Sequence, residues 1–115
     1  MTVSTYKIEK NIALKKVLIA VGDKMTLPEA ERFSRELNHI VSSIDASNYT
    51  LDVDCTSMKV LTTDLTEKLT GAMKDYHEAG FNKIVFFVQN DVILKMQLSR
   101  IARSVGLTNA EVITK

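Results

Sequence analysis

One segment restricts the fold more than any other. Lys83–Val88, KIVFFV, is apolar at every position after its lysine and is bounded by polar residues. Such a run reads as a strand covered on both faces, the usual setting of strands in parallel α/β sheets. The neighbouring segments supply the cover. Thr63–Ala79 repeats Leu65, Leu69, Ala72, Met73 and Tyr76 at helical spacing and ends at Gly80, a natural helix cap. From about Asp91 to Val105 a further helix carries Leu94, Leu98, Ile101 and Val105 on one stripe and closes at Gly106.

The same alternation extends upstream. Residues 3–9 read as a short strand with Tyr6 and Ile8 on one face, and Lys10–Asn11 as the turn after it. Residues 14–21, richer in β-branched side chains, read as a second strand closed by Gly22 and Asp23, which makes the opening unit a hairpin. Thr26 opens a helix with Glu29 at capping-box spacing and Pro28 in its first turn. Ala30, Phe33, Leu37, Ile40 and Ile44 form its apolar stripe. In Tyr49–Asp54, Leu51 and Val53 alternate with Asp52 and Asp54, the pattern of a half-buried strand. Residues 111–114 complete the series. The order β-β-α-β-α-β-α-β predicts one α/β domain over residues 1–115. Its sheet is expected to be mixed but mostly parallel, of about five strands, flanked by helices. Phe33, Leu37, Leu51, Val53, Leu69, Val85, Phe87, Leu98 and Ile101 are the expected core.

Composition narrows the function classes. A net charge of +1 gives no global basic field, so nucleic acid is not an expected partner. Cys55 is the single cysteine, which excludes an intramolecular disulfide and fits a reducing compartment. The N-terminal segment lacks the apolar stretch of a secretory signal, and no run approaches the ~20 residues of a membrane span. The expected location is the cytoplasm.

Catalytic constellations are not evident. His39 and His77 fall off the apolar stripes of their helices, with no zinc-ligand spacing around them. Cys55 lacks a CxxC partner, and neither phosphate-binding glycine motif is present. An enzyme would need Asp52, Asp54 and His77 gathered in one cleft. No metal or cofactor is expected.

The segment that stands out is DCTSMKVLTTDL, residues 54–65: a strand end, a loop and a helix start. Asp54, Thr56 and Ser57 lie at the strand end. Thr62, Thr63 and Asp64 cluster where the helix begins, and one of them must cap its unpartnered N–H groups. Asp64 and Glu67 also have capping-box spacing. A hydroxyl at a positive helix end is a good phosphoacceptor, because the helix dipole favours the added negative charge.

These elements resemble the STAS (sulfate transporter and anti-sigma factor antagonist) domain family, in element order over nearly the whole chain. Asp54-Cys55-Thr56 is similar to the family's Asp-apolar-Ser/Thr stretch, and Val60-Leu61 to the apolar pair before its switch turn. Thr62 stands at the family's Asp position and Thr63 at the position of its phosphorylated Ser; the following Gly is absent. The resemblance implies a non-enzymatic protein-interaction module regulated by phosphorylation at that turn. It implies a protein partner of the anti-sigma factor or kinase-like regulator type, and edge strands leave a homodimer open. The alternative on the same fold is a small-ligand or lipid-binding module, which an apolar pocket between helix and sheet would favour.

The third helix adds a second candidate surface. Val92, Met96, Ser99 and Arg103 fall opposite its core stripe, with Arg100 and Lys95 close by. Exposed apolar residues beside arginines are typical of protein interfaces.

Overall fold

The computed structural model describes residues 6–21, 27–58 and 61–114. Five strands and three α-helices alternate: β1 (Tyr6–Asn11), β2 (Lys16–Val21), α1 (Leu27–Ser42), β3 (Thr50–Asp54), α2 (Thr63–Ala79), β4 (Lys83–Val88), α3 (Val92–Ser104) and β5 (Ala110–Thr114). The sheet is mixed, with spatial order β1-β2-β3-β4-β5. β1 and β2 are antiparallel, and each later pair is parallel. No helix of the described residues is long and apolar enough to cross a membrane.

The expected turn at Lys10–Asn11 is not where the hairpin reverses. Both residues belong to β1, and Asn11 pairs with Lys16. The chain turns over Ile12–Lys15, where the Leu14 N–H donates to Asn11 Oδ1 at 3.0 Å. Lys15 takes a left-handed φ of 52°. The capping-box residue Thr26 and the strand-closing Gly22 and Asp23 lie outside the described residues.

Because the strand order is monotonic, three right-handed crossovers place every helix on the same face of the sheet. Burial agrees. Val17, Ile19, Val21, Leu51, Val53, Ile84, Phe86 and Val88 share one core with Phe33, Leu37, Leu69, Met73, Leu94, Leu98 and Ile101 from the helices. An aromatic series crosses this core: Tyr6 meets Phe33 edge-on at 5.4 Å, Phe33 meets Tyr76 at 6.5 Å, and Tyr76 lies 6.3 Å from Phe86. The Tyr6 hydroxyl donates to Glu36 Oε1 at 3.0 Å and ties β1 to α1.

The opposite face corrects the expectation for β4. No helix of the described residues covers it. Val85 is buried there, flanked in register by Asp52 and Glu111, while Phe87 is only half-buried. The helices therefore flank one side of the sheet, not both. Ion pairs lie on the bare side, among them Lys7–Glu9 at 2.8 Å, Lys16–Asp52 at 3.3 Å and Lys83–Glu111 at 3.2 Å. Their long side chains shield the apolar surface between them.

Candidate functional surface

The loop after β3 is organised by its first residue. Asp54 Oδ1 accepts from the Thr56 backbone N–H at 2.9 Å and from the Thr56 hydroxyl at 2.6 Å. This local turn lets the chain leave the strand, as Asp side chains commonly do. The Met58 N–H donates to the Cys55 carbonyl at 3.0 Å, and Met58 and Leu61 are buried on either side of residues 59–60. Ser57 is exposed. Val60 lies outside the described residues.

Thr62 is the residue that caps α2. Its backbone is extended, and its hydroxyl accepts the Leu65 N–H at 3.2 Å. Asp64 sits inside the first turn, so it does not form a capping box with Glu67; its carboxylate lies near the positive end of the helix. Thr63 and Asp64 are both exposed. The Thr63 hydroxyl makes no hydrogen bond among the described residues.

Gln97, a residue the sequence did not single out, joins this turn to α3. Its Oε1 accepts the Leu61 N–H at 2.9 Å, and its Nε2 donates to the Leu61 carbonyl at 3.4 Å. One amide thus satisfies both backbone groups of the residue before the cap, which no secondary structure serves. This bond ties the turn before α2 to the side of α3 that carries Gln97, while Val92, Met96, Ser99 and Arg103 lie further round the helix.

The exposed side of α3 is apolar at its start and cationic further on. Val92 is 68% exposed, Ile93 57% and Met96 58%, among the largest exposures of any large apolar side chain described. Val92, Lys95, Met96, Ser99, Arg100 and Arg103 line one groove of about 400 Å³. Ile93 and Arg100 lie four residues before and three after Gln97, so they share its side of the helix. α3 holds Lys95, Arg100 and Arg103 and no acidic residue. Leu94, Leu98 and Ile101 are buried, so the core side is occupied independently of this face. Asp91 caps the helix by accepting the Leu94 N–H at 3.0 Å.

Other chemistry-bearing residues are dispersed. Asp52 and Asp54 lie on the bare face of the sheet, whereas His77 is exposed in the last turn of α2, in the layer beyond the other face. The structure does not bring the three together. His39 is exposed in the last turn of α1. Cys55 is fully buried, and desolvation, with the neighbouring Asp54 charge, pushes its thiol up to about 12. It is a protonated core side chain at neutral pH. Among the described residues, no three His, Cys, Asp or Glu side chains are grouped to hold a metal.

Gln97 was legible only in part: a polar residue beside Leu98 gives no hint of its target 36 positions away. Ile93 was missed because it lies on the flank of the core stripe, at the border of the covered side, where periodicity alone does not settle exposure. In comparisons with known proteins, no family model matches the chain and no curated protein matches it.

Proposed function

We propose that this chain is a non-enzymatic protein-interaction module of STAS-like type, docking through the N-terminus of α2 and the exposed side of α3. The observation that carries this reading is the reciprocal pairing of Gln97 with Leu61. It holds the capped turn against the helix whose outward face is both apolar and cationic. Apolar side chains exposed together on one helix are usually covered by something, and clustered Met and Arg are enriched in interfaces. With three cations and no acid on α3, the fitting partner presents a carboxylate-rich surface around an apolar centre.

The turn gives this surface a means of regulation. A phosphate on Thr63 adds about −1.5 to −2 charge at pH 7. The N-terminus of α2 tolerates that charge, but it opposes an acidic partner docking beside it. Thr62 is the poorer acceptor, since its hydroxyl is engaged as the cap.

Affinity capture tests the reading. Wild-type protein and the Met96→Asp/Arg103→Glu variant are used as bait under identical conditions, with folding matched by circular dichroism. The expected result is one stoichiometric protein recovered by the wild type, lost with the variant and weakened by Thr63→Glu. Identical recoveries on wild type and folded variant would remove α3 from the docking surface.

A further inference from the structure

We propose that the cleft between α1 and α2 binds a small apolar molecule carrying a cationic or neutral polar head. This site is separate from the docking surface on α3. The cleft has a volume of about 350 Å³ and opens beside Val21, the last residue of β2, and Met58, in the loop after β3. One end of the cleft thus lies near the carboxyl ends of β2 and β3, and the rest runs between the two helices. Its size and apolar lining are those of small-molecule sites.

The sequence explains why the space exists. Ala30 on α1 and Gly71–Ala72 on α2 line the cleft where larger side chains would fill it. The helices remain tied across it, with the Ser34 hydroxyl donating to Asp75 Oδ2 at 3.2 Å. Phe33, Leu65, Leu69 and Tyr76 give an apolar wall. The Tyr76 hydroxyl donates no hydrogen bond among the described residues. Among the described lining residues the charge is unbalanced: Glu31, Glu67 and Asp75 accompany one cation, Lys68. An anionic head is therefore disfavoured at the mouth, and an ammonium or hydroxyl head is favoured.

The experiment uses the neutral dye N-phenyl-1-naphthylamine as probe, displaced by decyltrimethylammonium, decanol or decanoate, each below micellar concentration. The expected result is saturable one-to-one dye binding, with the ammonium and the alcohol displacing it at concentrations at least ~10-fold lower than the carboxylate, the factor set by about 1.4 kcal/mol. Ala72→Trp, which fills the cleft, should weaken dye binding by at least ~10-fold. Glu31→Lys/Glu67→Lys should reverse the preference between ammonium and carboxylate. If Ala72→Trp fails to fold, amide shifts of the wild type on titration with decanol replace it and should cluster on α1 and α2 around Ala30 and Ala72. A folded wild type that does not bind the dye saturably overturns the proposal. So do equal affinity in a folded Ala72→Trp protein, shifts confined to another surface, or a wild type that prefers the carboxylate.

Discussion

At the scale of single residues, the turn before α2 shows why one of three adjacent polar side chains becomes structural. Thr62, Thr63 and Asp64 all suit a helix start, and composition does not choose among them. The choice follows from backbone: only Thr62 is extended while its hydroxyl reaches the Leu65 N–H. Thr62→Ala should therefore destabilise the protein by about 1 kcal/mol, whereas Thr63→Ala should change stability little. Urea unfolding of both variants measures this; equal losses would contradict the assignment of the cap. Cys55 makes a prediction about pH. Its thiol is raised from the ordinary 9.0 to about 12, first by burial and then by Asp54. In the unfolded chain it ionises near 9, while in the native protein it holds its proton. The unfolded state thus binds fewer protons between these values, and stability falls as pH rises through that window, by up to about 1.4 kcal/mol per unit. Tyr6 and Tyr76 are shifted upward too, both chiefly by burial, and they add to the fall at the alkaline end. Cys55→Ala should flatten the lower part of the decline in pH-dependent unfolding; an unchanged profile would show that the thiol is not buried as described.

At the scale of elements, the limits of α2 were legible from the residues that cap it. α2 runs over Thr63–Ala79, as its stripe and Gly80 indicate, and Gly80 adopts the left-handed φ of 79° that favours glycine there. The β1–β2 turn was misplaced for an equally physical reason. Lys10 and Asn11 look like turn residues, yet Asn11 ends the strand and bonds forward to Leu14. The left-handed position falls on Lys15, where no glycine or asparagine announces it. Asn is at home at a turn boundary as well as inside a turn. The link between α2 and α3 escaped the sequence because it is a long-range bond from a side chain to an irregular stretch of backbone. Gln97→Ala leaves the Leu61 N–H and carbonyl without their partner, at about 0.5–1.5 kcal/mol for a typical hydrogen bond. It should also speed hydrogen exchange at the Leu61 amide by at least ~10-fold. Unaltered exchange at Leu61 with the helices intact would mean that the turn is held by something else.

At the scale of the whole molecule, alternation of strands and helices was readable, but the one-sidedness of the layers was not. KIVFFV suggests a strand enclosed on both faces. A monotonic strand order instead sends the three described helices to one side, and Val85 is buried on the other with no described helix over it. The α1–α2 cleft was hidden for a related reason: Ala30 and Ala72 fit the apolar stripes of their helices, and only packing reveals a space between them that no described side chain fills. The expected core was otherwise legible, with Phe33, Leu37, Leu51, Val53, Leu69, Val85, Leu98 and Ile101 all buried. On this scaffold the exposed side of α3 can be altered without touching the core. Calorimetric titration of the captured partner against wild-type protein and Met96→Asp/Arg103→Glu, at one salt concentration and with matched circular dichroism, measures what that face contributes to binding. The predicted result is a loss of at least about 2 kcal/mol, the scale of an interface hot spot and roughly 30-fold in affinity. Undiminished affinity in the folded variant would contradict a docking surface on α3.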